Sequence, residues 1–114
     1  MSSSGAAAGA WAYAVSPLDG SPLFYETWGE RGARTPVLLC DGIGCDGYVW
    51  RYLRPDLADR FGLHPHYRGH GRTAPPRDPA RVTIADLADD VACVLDDALV
   101  ERAVLIGHSM GVQV

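Results

Sequence analysis

At 114 residues the chain is long enough for one small domain and too short for two. Hydrophobic residues make up 47%, so a buried core is expected and global disorder is excluded. The net charge is −4 and every one of the ten basic Lys/Arg positions is arginine, which leaves no basic footprint for nucleic acid as the main partner.

Residues 1–10 lack a positive n-region and an apolar core, so they read as a flexible tail ahead of a domain over 11–114. No stretch is long and apolar enough to cross a membrane. Cys40, Cys45 and Cys93 are odd in number and lack paired zinc-ligand spacing. Reduced thiols in a cytoplasmic protein are the simplest expectation.

Residues 11–15 and 23–28 read as two strands around a turn at 16–21, an antiparallel hairpin. The apolar run 36–40 then reads as a buried strand running into the glycine-rich loop Asp41-Gly42-Ile43-Gly44-Cys45-Asp46-Gly47. Residues 48–60 place Val49, Tyr52, Leu53 and Leu57 at helical spacing, with Pro55 limiting the helix. A weaker strand at 61–67 leads into Arg68-Gly69-His70-Gly71-Arg72 and a proline-rich loop at 74–79.

The clearest helix starts at Thr83, whose capping partner is Asp86, and carries Ile84, Leu87, Ala88, Val91, Leu95 and Ala98 on one face. Its acidic positions Asp89, Asp90, Asp96 and Asp97 read as solvated surface, with metal binding the alternative. Residues 103–106 read as a strand buried on both faces. This order predicts an α/β fold, a mostly parallel sheet flanked by helices after an initial antiparallel hairpin.

Directly after that last strand stands Gly107-His108-Ser109-Met110-Gly111, a G-x-S-x-G sequence. Such an elbow turns a strand sharply into a helix and presents the serine hydroxyl on a strained residue, and the two glycines relieve the crowding. The alternative is a chance match at an ordinary turn. Strand, elbow and helix start in the required order weigh against chance.

With the elbow, the glycine-rich loop and the Arg68-Gly69-His70-Gly71-Arg72 loop in these places, the chain resembles the N-terminal half of the α/β-hydrolase superfamily, serine-nucleophile branch, broken off after the elbow. The resemblance implies Ser109 as nucleophile and the backbone amides of Met110 and Ile43 as oxyanion donors, with Gly42, Gly44, Gly107, Gly111 and His70 in supporting loops. An ordinary glycine-rich turn is the alternative for the stretch at 41–44. Three positions depart from the family's usual motifs: Asp41 stands for a histidine, His66 for an aspartate and Thr73 for a serine.

The family order places an acid and then a histidine downstream of the nucleophile, and no Asp, Glu or His follows Ser109 here. His64 and His66 read as a structural pair, His70 as a packing or hydrogen-bonding histidine, and the three together as a poor metal site. The expected function is therefore that of an N-terminal fragment of a hydrolase. It would cleave an ester or related small-molecule acyl substrate through an acyl-enzyme, with no cofactor or metal.

Serine at the elbow speaks against the epoxide-hydrolase and dehalogenase branches, which the resemblance associates with aspartate. The rival is a non-catalytic truncated product or a hydrolase-derived binding module. An exposed sheet edge at the last strand, open to self-association, is a further expectation.

Overall fold

Asp19 and Gly20 fold the first two strands together. Ser21 donates its amide to Asp19 Oδ1 at 3.1 Å, Leu18 donates to Ser16 Oγ at 3.1 Å, and Gly20 takes a φ of 73°. The result, in the computed structural model that describes residues 9–114, is the expected hairpin: β1 (Ala10–Val15) antiparallel to β2 (Pro22–Trp28). Of the tail expected over 1–10, residues 1–8 lie outside the described residues and Ala10 already belongs to β1.

β3 (Val37–Cys40), β4 (Gly62–Pro65), α1 (Ile84–Asp97) and β5 (Val104–Gly107) complete a five-stranded sheet of order β1-β2-β4-β3-β5. β2 pairs antiparallel with β1 and β4, while β3 pairs parallel with β4 and β5. Four strands thus share one direction and β2 alone is opposed. The chain belongs to the α/β class, a mostly parallel sheet with an initial antiparallel hairpin, as expected.

Strand alternation divides the core. Leu38 and Cys40 face α1 and pack with Leu63, Val91 and Val94, whereas Val37 and Leu39 face the other way, against Trp28 and Trp50. The chain leaves β3 toward β4 through the Trp50 layer and passes from β4 to β5, on the far side of β3, through α1. Such a reversal opens a crevice at the C-terminal strand ends, where loops can gather functional groups.

Three expectations are corrected. Residues 48–60 form two 3-10 turns, Tyr48–Trp50 and Arg54–Leu57, in place of one helix. Pro55 has no amide to continue an α-helical ladder, and Leu53 and Asp56 donate to carbonyls three residues back.

β5 is not buried on both faces: Val104 is 45% and Leu105 54% exposed, because among the described residues β5 is paired on one edge only. Asp90 does not join the solvated face. It is buried against Arg68, which donates from Nε to Oδ2 at 2.6 Å and from Nη2 to Oδ1 at 2.9 Å.

α1 begins with the expected capping box, the Thr83 and Asp86 side chains each accepting the other residue's amide. It ends in a Schellman turn, with Leu99 donating to Asp96 O and Val100 to Leu95 O. Leu99 therefore holds a φ of 58° with its side chain 83% exposed, a conformation that suits glycine. Leu99→Gly is expected to stabilise the chain by about 1 kcal/mol, the usual left-handed penalty for an L-residue. Urea unfolding of both forms checks this.

Candidate active site

β3 and β5 are in parallel register with Cys40 opposite Gly107, so the segments that follow them, 41–47 and 108–112, leave the sheet at the same end. His108 is still extended, with φ −121° and ψ 123°, and donates its amide to Cys40 O at 3.0 Å. The backbone then breaks direction at Ser109, φ 57°, which with Leu99 is one of two non-glycine residues of positive φ among those described. Holding serine there costs about 1–2 kcal/mol. Strain of this kind is commonly retained where a side chain has to be aimed.

After Ser109 the chain enters a 3-10 turn, Ser109–Val112, where the sequence suggested a helix start. Gly111 is fixed by contact: a Cβ there would lie 2.1 Å from Cys40 O, and one at Gly107 would lie 2.8 Å from Gly111 O. The elbow can lie on the end of β3 only because both side chains are missing. Ser109 itself is exposed.

The loop after β3 meets the elbow. A Cβ on Gly42 would lie 3.0 Å from His108 Nδ1 and 3.4 Å from Ser109 Cβ. Gly42 O accepts the Cys45 amide at 3.3 Å, closing a tight turn in which Gly44 has φ 74°. Among the described residues, neither the Ile43 nor the Met110 amide donates to a protein acceptor.

The structure thus brings Gly42 against His108 and Ser109 and packs Gly107 against Gly111 within the elbow, with Ile43 and Gly44 following Gly42 in the same loop and Met110 following Ser109. His70 stands apart from them in hydrogen bonding. Its Nδ1 lies 3.0 Å from Arg68 O and its ring stands edge-on to Tyr67, in the loop after β4.

Beneath the loop lies a polar network that the sequence reading did not assemble. Asp41 is 1% exposed; Oδ2 lies 2.8 Å from His64 Nε2, and Oδ1 accepts the Trp50 indole N–H. His64 Nδ1 lies 3.1 Å from Glu26 Oε1, which also accepts from Arg54 at 3.0 Å. Burial works against charge on His64, but its hydrogen bonds to Asp41 and Glu26 outweigh burial and place its pKa above the ordinary value. His64 in turn holds Glu26 below the usual carboxylate range.

His66 behaves oppositely. Burial and then the neighbouring His64 push its pKa down, and its Nδ1 accepts the Arg72 amide at 2.9 Å. At the departing position Thr73, the hydroxyl donates to His66 O at 2.8 Å and accepts the Phe24 amide at 2.9 Å, tying the loop to β2.

Glu26, His64 and His66 put potential ligand atoms within 4.8 Å of one another, the separation a metal would need. Their chemistry does not fit one. Both His64 nitrogens face carboxylates, and His66 accepts at Nδ1 and so, when neutral, carries its proton on Nε2. Arg54 already neutralises Glu26.

This geometry has known counterparts. A family model described as the α/β hydrolase fold matches residues 35–112, and the chain belongs to that family. Epoxide hydrolase A of Mycobacterium tuberculosis is 40% identical over 86 residues, covering 73% of this chain and 26% of the relative. A putative carbamate hydrolase, RutD, of Azorhizobium caulinodans is 41% identical over 91 residues, 78% of this chain and 32% of the relative.

Among solved structures, the enol-lactonase of Burkholderia xenovorans superposes with a TM-score of 0.77 at 32% identity, covering 88% of this chain and 38% of the other. An α/β hydrolase of Novosphingobium aromaticivorans gives 0.82 at 28% identity, with 90% and 36% covered. The chain spans about a quarter to a third of the length of these curated relatives.

Proposed function

We propose that this chain is the nucleophile-bearing part of a hydrolase that cleaves an ester or related small-molecule acyl substrate through an acyl-enzyme on Ser109. The observation that supports the reading is the strained, exposed Ser109 with Gly42 of the loop after β3 packed against it, together with Ile43 and Met110 amides that, among the described residues, donate to no protein acceptor. In the proposed step Ser109 Oγ bonds to the acyl carbon while its proton passes to a base. The carbonyl oxygen takes the negative charge, and each well-placed amide lowers the barrier by about 3–4 kcal/mol. The leaving group departs with the proton, and water releases the acyl group by the reverse sequence.

The names of the relatives bear on the substrate class. Carbamates and enol lactones are acyl compounds, and a serine hydroxyl suits attack on both. The epoxide hydrolases among the relatives point elsewhere, and the hydroxyl at position 109 is what separates this chain from that chemistry.

No Asp, Glu or His lies among residues 110–114, and in this reading the base and its orienting acid are not among the given residues after Ser109. The 114-residue chain alone is expected to hydrolyse an activated p-nitrophenyl ester at no more than roughly 10³- to 10⁴-fold over water, the level left when a triad is broken. A longer in-frame product should turn over fully. Robust Ser109-dependent turnover by the short chain would contradict the need for a downstream base, and an inactive long product would favour a binding module.

A further inference from the structure

The loop at 41–47 is held at both ends by one imidazole. At its start, Asp41 Oδ2 lies 2.8 Å from His64 Nε2. At its end, Gly47 sits so close that a Cβ would lie 2.6 Å from His64 Cε1, with φ 103°. Between these anchors, Gly42 rests against the elbow.

The other face of the imidazole is closed as well, because Nδ1 meets Glu26 and Glu26 meets Arg54. A ring whose two nitrogens each face a carboxylate oxygen satisfies both only by donating twice, which only the imidazolium does. The charges then balance, half-buried Glu26 and buried Asp41 against buried His64 and half-buried Arg54.

We propose that the His64 imidazolium is the positioning residue of this loop: through Asp41 and Gly47 it fixes the Ile43 amide relative to Ser109, so that stabilisation of the developing negative charge depends on His64 being charged. The proposal rests on the acyl-enzyme reading of Ser109. Charged or titratable groups face His64 from each neighbouring element: Glu26 from β2, Asp41 from the loop, His66 with its ring centroid 4.9 Å away, and Arg54 through Glu26.

The sign of the pH dependence follows. Against the outweighed cost of burial, the carboxylates raise the pKa of His64 above its ordinary value. The ordered loop is therefore fully present below the ordinary histidine range and is lost as pH rises through the raised value. kcat should fall on the alkaline side, with KM little changed.

The test uses a longer in-frame product, a p-nitrophenyl ester across pH, the variants Asp41→Asn, His64→Gln and Ser109→Ala, and nitrogen NMR of the His64 ring. Asp41→Asn is expected to lower kcat by roughly 10²-fold, the cost of a displacement of about 1 Å, with KM near wild type and the alkaline limb moved to lower pH. In the wild type both ring nitrogens should be protonated at neutral pH. A neutral His64 ring there, or an unchanged kcat and pH limb in Asp41→Asn while turnover still requires Ser109, overturns the proposal.

Should His64→Gln fail to fold, Asp41→Asn and the wild-type spectrum still decide. Turnover that survives Ser109→Ala would instead sink the acyl-enzyme reading, while the NMR result would still report the state of His64.

Discussion

Replacing Ser109 with alanine in a longer in-frame product is expected to lower kcat on an activated ester by on the order of 10⁶-fold, as removal of a nucleophile does when the triad acts as a unit. Alanine keeps the Cβ and removes only the hydroxyl, so the backbone should hold its turn at φ 57° and the contact of Gly111 with β3 should persist. Unfolding midpoints should accordingly stay close to wild type while turnover disappears. Steady-state kinetics beside a urea titration separates these effects. A loss of only a few-fold would mean that another group attacks the substrate.

The largest loss of stability is expected from Arg68→Ala, about 3–5 kcal/mol, the cost of stranding a buried partner charge. The Arg68 side chain is wholly buried and joins three elements: Asp90 on α1, Asp19 and Ser16 in the β1–β2 turn, and Arg81 O ahead of α1. Burial already holds the Asp90 carboxyl above its ordinary value against the opposing pull of Arg68. Without the guanidinium, Asp90 loses both of its hydrogen bonds from Arg68. Denaturant unfolding measures the loss, and adding Asp90→Ala should cost less than the sum of the single changes because the two residues share one interaction.

Local signals in the sequence carried the fold well. The hairpin turn at Asp19 and Gly20, the capping box of Thr83 with Asp86 and the elbow at Ser109 each arise from residues within a few positions of one another, so the chain encodes them directly. Apolar spacing alone misled at residues 48–60, where helical periodicity seats side chains against Trp28 and Val37 although Pro55 limits the backbone to 3-10 turns. It misled at β5 too, since an apolar run shows that a strand can be buried but not whether both its edges are paired.

The site was legible in part. Ser109, Met110 and the 41–44 loop were placed by motif, and the strand register brings them to one end of the sheet. The groups beneath them were not legible. His64 reaches Glu26 across 38 positions and Asp41 across 23, and Arg68 reaches Asp90 across 22, so no periodic pattern links them. The departures from the family motifs, Asp41, His66 and Thr73, all proved to carry local hydrogen bonding, and an acid read as solvated surface, Asp90, proved to be a buried partner.

The central claim, that Ser109 is the nucleophile of an acyl-transferring hydrolase, is tested most directly by treating a longer in-frame product with a fluorophosphonate and locating the adduct by peptide mass spectrometry. Stoichiometric labelling on Ser109, absent from Ser109→Ala and matched by loss of esterase activity, is the expected result. Labelling at another residue, or unlabelled protein that remains fully active toward the ester, would contradict it.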